Sequence, residues 1–293
     1  MDIRVLRYFL AVAREESISR AADVLHITQP TLSRQMMLLE DELGAQLFNR
    51  TNKITLTEAG VHLKLRAMEI DSLMDMLERD FSARSDVMGQ LSIGSGIYSA
   101  SNEVFSSLQD FSRQFPKVTY KIHTAAADKL KEMLDKGLLD FAIMMEPIDV
   151  SRYEYFRLRT KDKWGLLLSA GNPLAGKERI SVPEDLNGIE LLVTGRKAVF
   201  NEISSLLGEQ VRMNIRGYVN LVDNALPLVE NSDWGCLTID GAASYLNSER
   251  VVFRPFVPEI TSNTVLAWRK YGMSFGVASA FLTYIKQAKL RQE

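Results

Sequence analysis

The stretch that most constrains this chain runs from residue 17 to residue 60, where a capped helical pattern, a tight turn, a second helix and a basic loop follow without a gap. Pro30 anchors the reading. Proline is accepted in the first turn of a helix, where its missing N–H costs nothing, and is rejected from the interior. A helix therefore begins at Gln29-Pro30, and His26-Ile27-Thr28 before it is the turn. Ser17 suits the N-cap of the preceding helix, because its hydroxyl can accept from an orphan N–H. Ala21 and Ala22 in that helix let a neighbour approach closely, and Ile27 is the apolar plug between two crossed helices. Ahead of them, Val5, Leu6, Phe9, Leu10 and Ala13 recur at three- and four-residue steps and predict an amphipathic helix over 2–14.

The helix opening at Gln29 is predicted to reach Glu42, with Leu32, Met36, Leu39 and Leu43 on one buried face and Gly44 just past its end. Gln46–Phe48 and Ile54–Leu56 read as two short strands around the tip 49–53. Helices followed by such a hairpin form a winged helix-turn-helix, which lays one helix in the DNA major groove. Gln29, Pro30, Thr31, Ser33 and Arg34 lie near the leading end of that helix. Gln can bridge adenine N6 and N7, and Arg guanine O6 and N7. We therefore expect Gln29 and Arg34 to read bases, and Ser33, Arg50 and Lys53 mainly to hold the backbone. Residues 1–60 carry seven Lys and Arg against eight Asp and Glu. The positive charge must thus be arranged rather than abundant, with the acids expected to face away from DNA and with affinity expected to depend on dimerisation.

The rest of the composition narrows the alternatives. The chain has 293 residues, 46% hydrophobic and 25% charged, with a net charge of −2, as expected for a soluble protein of two or more domains. It lacks the apolar run of a membrane span and the pattern of a signal peptide, so a cytoplasmic location is expected. One cysteine, Cys236, excludes an internal disulfide; it reads as a small core residue rather than a redox sensor. The three histidines have no ligand-like spacing, so neither zinc nor any other cofactor is expected. No GxSxG elbow, phosphate-binding loop, dinucleotide fingerprint or HExxH helix is present. From Val61 to Met88 there is no Gly and no Pro, which allows a helix of roughly 40 Å. Its apolar stripe, Leu63, Ile70, Leu73, Met74, Leu77 and Phe81 with Val61, Leu65 and Met68 beside it, needs a partner.

Beyond Gly89, short apolar strands alternate with helical segments, the signature of a parallel α/β sheet. The pattern restarts at Trp164, giving two lobes with a first crossing near 160–163. Ligands in open α/β sheets sit beyond the carboxyl ends of strands. That rule selects 95–101 with Tyr98, Ser99 and Ser101, then His123-Thr124, then 194–197 with Phe200 and Asn201 nearby. Hydroxyls, backbone N–H groups and a helix N-terminus at the first segment favour an anion.

The N-terminal stretch resembles the DNA-binding domain of LysR-type transcriptional regulators at Phe9, Ala13, Ser17, Ala21, Ala22, Leu25, Gln29, Pro30, Ser33, Leu39, Glu40, Leu43, Gly44, Leu47, Phe48, Arg50, Leu56, Thr57 and Gly60. The remainder is similar, more loosely, to that family's effector-binding domain, through Ile93-Gly94, Phe115-Pro116, Gly137 to Asp140, Asn172-Pro173-Leu174 and Trp234-Gly235. The resemblance implies an α+β multidomain chain: a winged helix-turn-helix at 1–60, a linker helix at 61–88, and a two-lobed, periplasmic-binding-protein-like effector domain. Its first lobe is expected at 90–161 and 269–293 and its second at 162–268. It further implies antiparallel pairing of the linker helix between subunits, a homodimer or homotetramer, and promoter DNA as partner. The family's effector residues map onto Tyr98, Ser99, Thr124 and the 194–201 segment; with Ser101 from the strand-end rule, the expected effector contacts are Tyr98, Ser99, Ser101, Thr124, Thr194, Arg196 and Phe200. Hydroxyls on one wall and Arg196 or Lys197 on the other suggest a small carboxylate as ligand. No catalytic residue is expected. The alternatives are a solute-binding protein or an enzyme built on the two lobes; residues 1–60 argue against the former.

Overall fold

The structure, a computed structural model, describes residues 2–50, 54–82, 87–246, 249–270 and 276–290. It forms two compact units, Met1–Ser82 and Ala83–Glu293. In the first, α1 (Ile3–Glu15), α2 (Ile18–Val24) and α3 (Gln29–Leu43) precede β1 (Phe48–Arg50), β2 (Ile54–Leu56) and α4 (Glu58–Ser82). Asp2 and Ser17 cap α1 and α2 by accepting from the N–H groups of Arg4 and Arg20. Gly44 ends α3 in the left-handed region, at φ 65°. Phe9, Val12, Ala21, Leu32, Met36 and Leu39 form the core with Leu47 and Phe48, and the rings of Phe9 and Phe48 lie 5.3 Å apart.

Three expectations for this unit need correction. Leu43 is exposed, because the apolar face of α3 outruns the helices it packs on. The first wing strand begins at Phe48 rather than Gln46. A Glu40 carboxylate oxygen accepts from the N–H groups of Leu47, at 2.8 Å, and Phe48, at 3.2 Å, which takes those amides out of any ladder. The long helix does not carry one stripe: Leu63 and Ala67 pack on the unit's own core, whereas Val61, Leu65, Met68, Ile70, Leu73 and Leu77 are exposed. It starts at Glu58, and Thr57 just before it acts as the cap, its Oγ1 accepting from the Gly60 N–H at 3.0 Å. Its expected continuation over 83–86 lies outside the described residues.

The second unit opens with β3 (Gly89–Ser95), α5 (Ser101–Gln114), β4 (Val118–Thr124), α6 (Ala127–Asp135), β5 (Phe141–Met145) and β6 (Tyr153–Arg157). The second lobe holds β7 (Asp162–Ser169), β8 (Ile180–Ser181), β9 (Glu190–Thr194), α7 (Lys197–Leu207), β10 (Asn214–Val219), α8 (Leu226–Glu230), β11 (Gly235–Ile239), α9 (Asp240–Ser244), β12 (Val251–Val257) and β13 (Thr261–Ser262). Then β14 (Thr264–Arg269) and α10 (Gly276–Leu290) return to the first lobe. The sheets run β4-β3-β5-β14-β6 and β10-β9-β11-β7-β12-β8, with β13 on β7.

Neither sheet is purely parallel. β14 runs antiparallel to β5 and β6, and β7 antiparallel to β11 and β12, because the strand that follows each crossing enters its new sheet against the grain. The return crossing falls before residue 264, not after 268: β14 lies in the first sheet. Its Thr264–Trp268 is buried throughout, a run that suits a sheet interior in either lobe and so conceals its destination. One apolar core spans both lobes; in the first, Phe111 and Phe141 meet Phe281 of α10 at 5.3 Å and 5.5 Å between ring centroids.

Candidate functional site

The first candidate surface is the leading end of α3. The turn before it is tight, with His26 at φ 54°, and Thr28 and Thr31 share a hydroxyl–hydroxyl hydrogen bond of 2.8 Å. Gln29, Pro30, Thr31 and Arg34 are exposed, and Ser33 is half-buried. Arg50 ends β1, paired across the hairpin with Ile54; Lys53 lies outside the described residues. The acids do not all face away from this surface. Asp41 follows Arg34 by seven residues, two turns, and so projects from the same side of α3; it too is exposed. Charge is instead separated along the axis: the first turns carry Gln29, Thr31 and Arg34, the last Asp41 and Glu42. An uncharged-to-cationic leading end can enter a groove while the acidic end stays outside it.

The second candidate is a cleft between the two lobes, enclosing about 690 Å³ of space with its open mouth included. The first lobe contributes Gly96, Ile97, Tyr98, Met145 and 125–127; the second contributes Trp164, Thr194, Arg196, Val199, 219–222, 236–239 and Ala242. Of the seven expected effector contacts, Tyr98, Thr194 and Arg196 line it. Burial pushes the Tyr98 phenol up, against the opposing pull of Arg196 and a hydrogen bond from the Met145 backbone, so it stays a neutral hydroxyl. Thr194 Oγ1 accepts from the Arg196 N–H at 3.3 Å.

The other four do not line the cleft. The Ser101 hydroxyl is buried and shared with Ser95 Oγ at 2.9 Å. Ser99 donates its N–H to Asp162 Oδ1 at 2.7 Å, and Asp162 is also bonded to the Ala100 backbone. The helix N-terminus expected to receive a ligand anion is occupied by the protein's own Asp162, fully buried where β7 begins. Gly241 packs directly against this pair: a Cβ there would lie 2.2 Å from both Asp162 Oδ1 and Ser99 N. Thr124 is exposed, and the alanines after it reach the cleft in its place. Phe200 sits on the inner side of α7 and packs on the core.

Sequence reasoning missed Trp164, Asn220 and Thr238. The strand-end rule selects Asn220 and Thr238 once it is applied to β10 and β11 as well as β9. Cys236, expected as a small core residue, is indeed buried, as is Trp164, and both also form part of the cleft wall. Trp164 Nε1 donates to Ser262 Oγ at 2.8 Å, which ties the two crossing segments together. Burial alone pushes the Cys236 thiol up to about 12.

Residues 3–61 match the family described as "Bacterial regulatory helix-turn-helix protein, lysR family", and residues 84–289 match the "LysR substrate binding domain". The chain is 38% identical over 150 residues to the transcriptional regulator BsdA of Bacillus subtilis, covering 49% of this chain and 50% of BsdA. It is 33% identical over 195 residues to the hydrogen peroxide-inducible genes activator of Dickeya chrysanthemi, covering 66% of this chain and 63% of that one. The matches thus span about half to two thirds of these relatives. In fold it is similar to CbnR, a LysR family transcriptional regulator, with a TM-score of 0.73, 22% identity and coverage of 98% of this chain and 99% of that one.

Proposed function

Since this chain belongs to the LysR family of bacterial helix-turn-helix regulators, we propose that it binds promoter DNA as a homo-oligomer and that a small molecule held between its effector lobes tunes that binding. The observation that carries this reading is the exposed leading end of α3. Gln29, Thr31 and Arg34 stand clear of the unit's core at the point where a recognition helix meets base edges. In the proposal Gln29 and Arg34 read bases, Pro30 fixes where the helix starts, and Ser33, Arg50 and Lys53 hold the phosphates. The exposed apolar side chains of α4 supply the surface that pairs two copies, whether the final assembly is a dimer or a tetramer. Among the described residues no helix is long and apolar enough to cross a membrane.

Tyr98, Thr194 and Arg196 are the proposed effector contacts, with Trp164, Asn220 and Thr238 added to them. The cleft walls are mostly apolar, with one guanidinium, so a compact carboxylate is the ligand class the site suits. The peroxide response named for the Dickeya relative is not carried over: Cys236 is buried and its thiol is held protonated, the reverse of what a reactive cysteine needs. The test is a gel shift with DNA flanking the chain's own gene. Retarded DNA whose affinity falls steeply with added salt is the expected result. No retardation of any such fragment, with or without small acids, overturns the reading.

A further inference from the structure

Arg196 makes contacts across the cleft that a guanidinium held only to receive an anion does not need. It stands on the second lobe, immediately before α7, yet its guanidinium reaches the first. Nη1 donates to the Met145 carbonyl at 3.4 Å and Nη2 to the Pro147 carbonyl at 3.1 Å. Nε lies 4.0 Å from an Asp128 carboxylate oxygen on α6. The Arg196 side chain is only 14% exposed, whereas that of Asp128 is 79% exposed and solvated. The charge is thus largely removed from water and matched mainly by two neutral carbonyls. A guanidinium binds a carboxylate about twice as strongly as neutral acceptors, and in a planar two-pronged geometry that carbonyls from two separate residues do not supply.

From this mismatch we infer that Arg196 is an exchangeable latch between the lobes. Without ligand it joins the second lobe to Met145 and Pro147 of the first. A compact acid with an apolar body, seated between Ile97, Trp164, Val199 and Leu237, takes the guanidinium from those carbonyls and resets the separation of the lobes. The ligand then acts through differential affinity for two lobe arrangements, the requirement for any ligand-driven shift. This inference rests on the reading of the cleft as the effector site, and the two are separable by experiment.

The experiment uses the full chain carrying Lys129→Cys on α6 and Asn201→Cys on α7. Both positions are exposed, one on each lobe, while native Cys236 is buried and remains unlabelled. Spin labels are attached, labelled chain is diluted into unlabelled chain, and the interlobe distance is read by pulsed electron paramagnetic resonance. Without ligand, Arg196→Gln is expected to shift the distribution to longer, broader distances. Arg196→Lys, which keeps the charge but has no planar fork, is expected to fall between, and carries the comparison if the glutamine variant fails to fold. Benzoate, cyclohexanecarboxylate and hexanoate are then added to the chain with Arg196 intact, with benzamide as the uncharged control. At least one acid is expected to shift the distance where benzamide does not, and Arg196→Gln is expected to weaken that response about tenfold or more in concentration. An unchanged ligand-free distribution in the Arg196 variants overturns the latch whatever the ligands do. Equal responses to benzoate and benzamide overturn the exchange. A latch that opens on substitution but answers to none of the acids leaves the interlobe contact standing and removes the effector reading.

Discussion

At the scale of single residues, close approach explains more than charge does. A Cβ on Gly60 would lie 2.2 Å from the Leu47 carbonyl oxygen, so the first turn of α4 can rest on the wing only with glycine there. Gly60→Ala is expected to cost about 1–3 kcal/mol, read as a lower midpoint in urea unfolding of the first unit. Asp162 shows the opposite strain: burial, with Asp240 nearby, raises its carboxyl above the usual range despite the bonds from Ser99 and Ala100. For an acid whose folded-state pKa is raised, the contribution to stability is whole below the unfolded pKa and is lost as pH rises through the folded one. Asp162→Asn keeps an acceptor for Ser99 without the charge. Its stability relative to the native chain should therefore improve as pH rises from below the ordinary aspartate range to neutrality, and thermal melts across that span measure the trend. A difference that instead moves in favour of the native chain as pH rises contradicts this account. These residues also show where the sequence was silent. Ser99 and Ser101 carry the right chemistry for a ligand, but Asp162 lies 63 positions from Ser99, and no local pattern reveals that it fills the helix N-terminus first.

At the scale of elements, periodicity located the helices well and their surroundings less well. Pro30 and Gly44 bracket α3 because each acts on the backbone it sits in, a local effect that needs no knowledge of neighbours. The mixed sheets were not legible for the converse reason: β12 carries Pro255 and β6 is a short edge strand, so neither reads as a strand in isolation. The polarity along α3 leads to a prediction. Arg34→Ala should cost about 1–3 kcal/mol of operator binding and relax preference at one base position; an equal loss on every sequence would reassign Arg34 to the backbone. Helix α4 leads to another. Leu65 is 61% exposed and Met68 52%, and neither belongs to the core of its own unit. Burying such a side chain contributes roughly 1.5–3 kcal/mol, and a two-fold interface counts it twice. Leu65→Asp should therefore leave the melt of the first unit unchanged while raising the dimer dissociation constant well over tenfold. Sedimentation equilibrium reads the second effect. An unaltered assembly would remove α4 as the pairing surface.

At the scale of the whole molecule, the decisive quantity is the near absence of net charge. The chain carries −2 overall, and the seven cations of residues 1–60 are outnumbered by eight anions. A general field cannot draw such a protein onto DNA, so its affinity has to come from a few placed cations, duplicated by assembly. Each neutralised phosphate contributes about −0.9 to the slope of log affinity against log salt. A dimer that sets two copies of α3 on one duplex therefore has twice the slope of a single copy, whatever the number of contacts per copy. The monomeric Leu65→Asp chain provides that single copy. Titrating operator binding of both chains between 50 and 200 mM salt, a range over which such slopes are resolved, should give a ratio of about two. Random DNA should bind weakly to either, because without a positive surplus only the well-placed contacts remain. A ratio near one would mean that the second copy never touches the duplex. The proposed route from cleft to DNA, in which effector-driven movement of one pair of lobes repositions a pair of recognition helices, would then lose the paired contact on which it acts.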